Sequence, residues 1–338
     1  MTGSHPAVTV IMPVLNEESH LAASVQSILD QGYPGELEII VALGPSHDKT
    51  NQVAADLAKK VPSLRFIDNP RGLTTVGLNQ AIAQAKHDFI VRVDAHSELA
   101  PNYIADGIRI LLEVDADQLG GIMNAQGKSS FQKAVAWAYK SRFGIGGASY
   151  HVGGHAGPAE SAYLGIFKKS ALERVDGYDE AIIRGEDWDL AQRIKKTGGL
   201  VWFSPELKVT YWPRGRFTNL AKQFYSTGIW RGDLTHRNLR GASARYFAPP
   251  ILVIALLWGF IWLCFGRIIG ILPWSLYILG ILFLAVTANG LSLKSRIALM
   301  IVLPTMHLSW GIGFIKGYAA GAGMTIDKSR TSTKAAGK

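Results

Sequence analysis

Phe89-Ile90-Val91-Arg92-Val93-Asp94-Ala95-His96 is the stretch that decides the reading of this chain. An apolar run from Phe89 to Val93 reads as a buried strand, and it leads straight into a carboxylate, a spacer and an imidazole. Alternation along an extended strand sends Asp94 and His96 to the same side, at the carboxyl edge of a sheet. That edge is where open α/β sheets bind nucleotides. A carboxylate with an imidazole suits a divalent ion such as Mn²⁺ or Mg²⁺ held beside phosphate oxygens. Alone, the triplet fits a plain strand-end turn equally well.

Upstream, strand-like and helical stretches alternate. Val8–Met12, Glu38–Ala42 and Leu64–Ile67 are short β-rich runs, separated by helical stretches near Ser19–Gln31, Asp48–Lys60 and Thr74–Ala85. Repeated βα units predict an α/β fold, with a mostly parallel sheet flanked by helices. Asp48 is placed to cap its helix, and Pro101 reads as a first-turn proline. Downstream the pattern is less regular. Gly144–Gly157, with His151 and His155, reads as a mobile loop, and a helix is expected from Glu186 to about Gly198-Gly199.

The 338-residue chain changes character near its carboxyl end. Phe247–Phe265, Ile271–Ala288 and Ile297–Ile315 are apolar and close to the length needed to cross a bilayer. A buried helical core is the alternative for the set. Gly266-Arg267 makes the first connection a tight hairpin. The net charge of +9 is concentrated before these segments: Arg214, Arg216, Lys222, Arg231, Arg237, Arg240 and Arg245 face a single acid, Asp233. Basic charge beside a span fits the positive-inside rule and anionic lipid better than nucleic acid. Phe217, Leu220, Ala221, Phe224 and Gly228 recur at helical spacing, as in an amphipathic helix on a membrane surface; an ordinary packed helix is the alternative. Met1–Pro6 is polar and shows no secretory signal, so the soluble part is expected on the cytoplasmic side of an inner membrane. Three crossings would leave the basic tail, with Lys328, Arg330, Lys334 and Lys338, on the far side; otherwise one apolar segment is re-entrant or interfacial. The lone Cys264 excludes an intramolecular disulfide. The expected divisions are 1–213 for the catalytic domain, 214–246 for a basic juxtamembrane segment, 247–318 for the apolar helices and 319–338 for the tail.

Four further motifs sit where chemistry would need them. Pro13-Val14-Leu15-Asn16-Glu17-Glu18 leaves the first strand and can hold a base and ribose, although Asn and Glu there also serve as helix caps. Asn69-Pro70-Arg71-Gly72 leaves the third strand, where arginine can pair with a pyrophosphate or merely sit in a solvated turn. Glu186-Asp187-Trp188-Asp189 opens a helix with more carboxylates than the helix dipole requires, so one can act as a general base. Gln223 to Trp230-Arg231 lies next to the apolar helices and can grip a diphosphate or stack on a sugar.

Taken together, these motifs resemble the family 2 glycosyltransferases of the GT-A fold, over roughly Val8 to Arg231. The resemblance rests on Pro13, Asn16 and Glu17, Asp48, Asn69 with Gly72, Asn79, Asp94-Ala95-His96, Leu164-Gly165-x-Phe167-Lys168-Lys169, Gly177-Tyr178-Asp179-Glu180 and Glu186-Asp187. Arg92 to His96, Gly228-x-Trp230-Arg231 and the apolar carboxyl end are similar to the succinoglycan-type, membrane-anchored glucosyltransferases. The likeness implies a nucleotide-sugar donor, probed through Pro13, Asn16, Glu17, Asn69, Arg71, Asp94 and Arg231, and a divalent metal on Asp94 and His96. It implies Asp187 as the base that deprotonates an acceptor hydroxyl, with inversion. Glu186, Trp188, Trp230 and Gln223 would shape the acceptor side, with Gln223, Trp230 and Arg231 closing over the diphosphate. The implied acceptor is a polyprenyl-diphosphate-linked glycan in the plane of membrane lipid. Two departures stand out. The aspartates usual after the second strand are replaced by Leu43 and Gly44, which leaves uridine as the base on analogy alone. His96 stands where a second aspartate is common. The competing functions are sugar transfer directly to polyprenyl phosphate, and a non-catalytic nucleotide-sugar-binding scaffold at the membrane.

Overall fold

The computed structural model describes residues 5–323 and 325. The chain folds into two compact units, one of residues 1–124 and 148–211, the other of residues 125–147 and 212–338.

In the first unit the βα alternation is realised. β1 (Val8–Val14), α1 (Leu21–Leu29), β2 (Leu37–Leu43), α2 (Thr50–Ala58), β3 (Leu64–Asp68), α3 (Thr74–Gln84) and β4 (Phe89–Arg92) follow one another. β1 pairs in parallel with β2 and β4, and β2 with β3. Period-2 alternation divides these strands between two cores. Val10, Met12, Ile39, Val41 and Val91 pack on one face of the sheet, and Ile11, Ile40, Ala42 and Ile90 on the other. Both faces are covered, so the strands read as continuous apolar runs.

Beyond β4 the sheet turns antiparallel. β5 (Glu98–Leu99), α4 (Tyr103–Glu113) and β6 (Gln118–Ala125) come next; the chain then passes through α5 (Ser130–Tyr139) of the second unit. It returns as α6 (Ser149–Val152), β7 (Gly157–Pro158), β8 (Tyr163–Lys168), α7 (Lys169–Arg174), α8 (Glu186–Lys196) and β9 (Val201–Tyr211). The strand order is β3-β2-β1-β4-β8-β6-β9-β5, with β7 on β9, and β4 pairs antiparallel with β8. Two local expectations are corrected. Pro101 lies in the turn before α4, whose cap is Asn102 in the left-handed region at φ 60°, so it is not in the first helical turn. Gly144–Gly157 is not one open loop, because it contains α6 and the start of β7.

The second unit contains α5, α9 (Phe217–Arg237), α10 (Ala248–Cys264), α11 (Ile271–Thr287) and α12 (Leu293–Ala320). Three helical stretches, Ala244–Cys264, Ile268–Thr287 and Leu293–Ala320, are long and apolar enough to cross a membrane. The expected surface helix around Phe217–Gly228 is instead a packed helix, the alternative reading. α9 buries Leu220, Phe224, Gly228, Ile229 and Gly232. Its Gly228 and Gly232 meet the α12 backbone at Trp310 and Phe314, while Gly313 and Gly317 of α12 meet Tyr225 and Ile229 of α9. Small residues four apart on both helices let the backbones approach closely, and no larger side chain fits there. The tail residues Lys328, Arg330, Lys334 and Lys338 lie outside the described residues.

Candidate active site

The exits of β1 and β2 are stitched together by reciprocal side-chain-to-backbone hydrogen bonds. Asn16 N–H donates to Ser46 Oγ at 3.0 Å, and His47 N–H to Asn16 Oδ1 at 2.8 Å. Glu17 N–H donates to Thr50 Oγ1 at 2.8 Å, and Lys49 N–H to Glu18 Oε2 at 2.8 Å. Asp48 accepts from the backbone N–H of Glu18 at 3.2 Å and of Thr50 at 3.0 Å. It therefore joins the two loops and satisfies the first helical N–H of α2, one residue ahead of the cap at Lys49. Asn16 takes the left-handed region at φ 57°, a conformation asparagine tolerates better than most residues. Pro13 is the penultimate residue of β1, in register with Ala42 of β2, so it stiffens the strand end rather than the loop.

The same loop reaches the expected metal pair. Glu17 Oε1 lies 3.0 Å from His96 Nδ1, and its Oε2 lies 3.0 Å from His20 Nδ1. Burial would raise the Glu17 carboxyl, but the hydrogen bonds and charges of His20 and His96 prevail and hold it at about 2. A carboxylate accepts only, so Nδ1 of His96 carries a proton in this pair, and whenever the ring is neutral Nε2 presents the lone pair. That is the arrangement in which a carboxylate orients a metal-binding histidine from behind. Among the described residues no group of three or more His, Cys, Asp or Glu side chains forms a metal cage. Asp94, with one oxygen on Arg92, and His96, oriented by Glu17, are side chains of a type that could hold a divalent ion.

The centre of the site is a residue that sequence reasoning did not single out. Arg92 on β4 is 3% exposed and holds three carboxylates. Nη1 binds Asp187 Oδ1 at 2.5 Å, Nη2 binds Glu186 Oε1 at 3.0 Å, and Nε binds Asp94 Oδ1 at 3.3 Å. Its guanidinium carbon also stands 5.6 Å from the centre of the Tyr178 ring. Asn79 of α3 fixes that tyrosine, donating to Tyr178 O and accepting from Tyr178 N–H, both at 2.8 Å. Burial raises the Asp187 carboxyl well above the usual carboxylate range; Glu186 and Asp94 add to the shift, while Arg92 opposes it. Leu164, at φ 59° and fully buried, directs a backbone hydrogen bond to Asp187. The left-handed region is costly for leucine, so the surrounding structure must enforce it. Trp188 is buried, and its indole N–H donates to Glu160 Oε1 at 3.0 Å.

Other expected donor-pocket residues are occupied locally. Asn69 is 2% exposed and donates to Leu73 O at 2.9 Å, closing the turn that ends at Gly72. Arg71 pairs with Glu180 at 2.5 Å on the surface. Gln223, Trp230 and Arg231 belong to α9 of the second unit. Trp230 is 1% exposed and its indole N–H donates to Thr325 O at 2.8 Å, so it is a packing anchor that fastens the chain beyond α12. The Arg231 guanidinium lies 4.5 Å from the Tyr246 ring centre, a cation–π pair. The signal for Arg92 was present in the sequence, as the one charge inside a buried run; Asp94 and His96 themselves lie past the end of β4, in the turn that follows it rather than on an extended strand.

The site thus joins a parallel βαβ half-sheet, a carboxylate and an imidazole beyond its β4 edge, and two further carboxylates gathered on Arg92, on the α/β framework of a group-transfer enzyme. Residues 9–176 match Glycosyl transferase family 2, and the chain belongs to that family: it is a glycosyltransferase. It is 30% identical over 320 residues to the succinoglycan biosynthesis protein ExoA of Rhizobium meliloti, covering 90% of this chain and 93% of that one. It is 24% identical to a dolichyl N-acetyl-α-D-glucosaminyl phosphate 3-β-D-2,3-diacetamido-2,3-dideoxy-β-D-glucuronosyltransferase of Methanococcus voltae, covering 93% of this chain and 98% of that one. Among solved structures, the mannosyltransferase PcManGT of Pyrobaculum calidifontis, in complex with GDP-Man and Mn²⁺, aligns with a TM-score of 0.59 at 18% identity, covering 94% of this chain and 88% of that one. That likeness supports the GT-A fold.

Proposed function

We propose that the chain is an inverting hexosyltransferase. It moves a sugar from a nucleotide donor, UDP-linked, to a hydroxyl of a polyprenyl-diphosphate-linked acceptor at the cytoplasmic face of the membrane, in cell-surface polysaccharide or glycolipid synthesis. The observation that carries this reading is the Arg92 cluster, which holds Asp187 beside Asp94 and Glu186 with its carboxyl raised above the usual carboxylate range. A base with such a pKa can take a proton from an acceptor hydroxyl. The hydroxyl oxygen attacks the anomeric carbon, the bond from that carbon to the diphosphate oxygen breaks, and the proton ends on Asp187. Asp94 and His96 would hold a divalent ion, which when bound supplies positive charge to the leaving diphosphate. Glu17 keeps the His96 imidazole oriented, and Arg92 keeps Asp187 and Asp94 in fixed relation. The names of the two relatives support a lipid-linked, polysaccharide-building acceptor. Offering the full chain in membranes a panel of nucleotide sugars, Mn²⁺ and extracted lipid acceptors, and reading lipid products by mass spectrometry, tests the assignment. A lipid-linked glycan one hexose longer is expected; a monosaccharyl monophosphate lipid would refute the hydroxyl acceptor. Asp187→Asn should abolish transfer and spare donor binding, and undiminished transfer in that variant would remove Asp187 as the base.

A further inference from the structure

The second unit carries its own record of how its apolar helices lie along α12. Near the start of α12, Arg296 donates through Nε to Leu291 O at 3.2 Å and through Nη1 to Val286 O, which puts the end of α11 at that level. Further along, Tyr277 OH meets His307 Nδ1 at 3.0 Å. The path from Arg296 to His307 is about 16 Å and that from Val286 back to Tyr277 about 14 Å, at 1.5 Å per residue. α11 therefore runs antiparallel beside α12, and its beginning lies toward the carboxyl half of α12. α10 begins at that same level: a Cβ on Gly311 would lie 2.6 Å from Pro249 O and 2.8 Å from Val253 Cγ2. Nearby, the rings of Phe247 and Phe314 are 5.7 Å apart. The last turns of α10 lie there too: a Cβ on Gly259, five residues before the helix ends at Cys264, would lie 2.6 Å from Gly270 O and 3.2 Å from Trp274 Cδ1, at the entry to α11.

Both ends of α10 thus lie at one end of the α11–α12 pair. We propose that α10 lies within one leaflet of the membrane and does not cross it, so that only α11 and α12 cross. The proposal rests on the membrane reading of the apolar helices. Ile268–Thr287, at 20 residues, is about 30 Å long, which matches the hydrocarbon core. α12 has 28 residues, about 42 Å, longer than the hydrocarbon core, and α9 packs along its carboxyl half from Trp310 to Gly317. A helix without charge and exposed on most sides, as α10 is, is at home in hydrocarbon just below the headgroups. Arg245 before it and Arg267 after it then reach the same headgroup layer. The turn at Ser141–Gly144 joins this shelf: Phe143 is 66% exposed, and its carbonyl accepts from His307 Nε2 at 2.7 Å. A carbonyl only accepts, so Nε2 is the protonated nitrogen and Nδ1 accepts from Tyr277, leaving this imidazole satisfied inside the apolar layer. α10 and Phe143 together offer an apolar shelf to lipid chains in the leaflet where a lipid-linked acceptor resides.

Two crossings return the chain to the side it left, whereas three would not. That suits the positive-inside rule for the four basic residues that follow α12 in the sequence, and leaves only Lys294 and Arg296 at the far turn. The test uses the full chain with Cys264→Ser and one new cysteine at a time: Lys59→Cys as a reference in α2, Phe265→Cys at the α10–α11 turn, and Asn289→Cys at the α11–α12 turn. Each is probed with a membrane-impermeant maleimide in sealed vesicles of both orientations. Asn289→Cys should label only from the face opposite Lys59→Cys, and Phe265→Cys should never label from that opposite face. Asn289→Cys sharing a face with Lys59→Cys, or Phe265→Cys labelling from the opposite face, would overturn the proposal. Release of the wild-type chain by alkaline extraction would instead sink the membrane reading beneath it.

Discussion

Replacing Arg92 isolates what one buried guanidinium does for this site. Its three nitrogens bind Asp187, Glu186 and Asp94 at 2.5, 3.0 and 3.3 Å. Removing one partner of a buried ion pair costs about 3–5 kcal/mol. The three carboxylates retain 23%, 16% and 21% exposure, so water screens part of the loss and the lower end, about 3 kcal/mol, applies to Arg92→Ala. At about 2.1 cal/mol/K of unfolding entropy per residue, a 338-residue chain shifts by about 1.4 °C per kcal/mol, so the thermal midpoint should fall by about 4 °C. Arg92→Lys is the sharper probe. It keeps the charge but offers one ammonium where three separately directed N–H groups are needed. The fold should survive with a smaller fall in midpoint, while Asp187 loses its fixed place. A displacement of about 1 Å at a reacting group costs on the order of 10²-fold in rate. Transfer kinetics in nanodiscs should therefore show kcat reduced about 10²-fold, with a smaller change in donor KM, because the step that needs Asp187 follows donor binding. An Arg92→Lys enzyme with kcat within a few-fold of wild type would refute the claim that this arginine positions the base.

Further outcomes follow from the same contacts. Protonated Asp187 cannot accept a proton, so kcat should fall as pH drops through its raised pKa, with an acid limb above the ordinary carboxylate range. The folded state holds that proton after the unfolded chain has released it, so this group's contribution to stability falls as pH rises from the ordinary carboxylate range through the raised value. Glu186→Gln removes one of the two like charges and should move the limb to lower pH in a kcat–pH profile; an unmoved limb would show that Glu186 does not act on the base. Gly317→Leu places a side chain against the Ile229 carbonyl of α9, and overpacking of this kind costs about 1–3 kcal/mol. A lower thermal midpoint in detergent is expected, and Gly280→Leu, where a Cβ meets nothing within 4 Å, should leave it unchanged.

The parts of this protein that were readable in advance are those set by local rules. β1 to β4 and the helices between them follow from apolar runs, turn residues and period, and the three apolar helices from length and composition alone. The antiparallel half was not readable, because β8 is matched to β4 and β6 by contacts distant in sequence, and nothing in its own pattern names those partners. The same limit explains the site. Asp94, His96 and Asp187 could be chosen by residue type and position, but Arg92, the common partner of Asp94 and Asp187, is separated from Asp187 by 95 positions.

Gly44 shows how a departure from the family pattern can have a packing cause. A Cβ there would come 3.0 Å from Leu15 Cδ1, 3.2 Å from Val14 O and 3.3 Å from the Gly72 Cα, closer than nearly all real contacts. The exits of β1, β2 and β3 therefore converge where a longer residue would hold them apart. Gly72, at φ 61°, supplies the left-handed turn that brings the third exit in; that backbone region favours glycine over any residue with a Cβ. An acid at this position would need Leu15, Val14 and Gly72 to give by a few tenths of an ångström, and on the proposed donor reading the base would be met instead by groups the convergence leaves accessible. On that reading the joined loops, Asn16–Glu18 and Ser46–Thr50, would supply backbone groups for the purpose. Backbone N–H and C=O groups discriminate by shape and hydrogen-bond pattern, not by charge. Gly44→Asp would then disturb the joint before it improved any contact with uracil, and the missing aspartate is better understood as a consequence of how tightly these loops close than as a loss of donor binding.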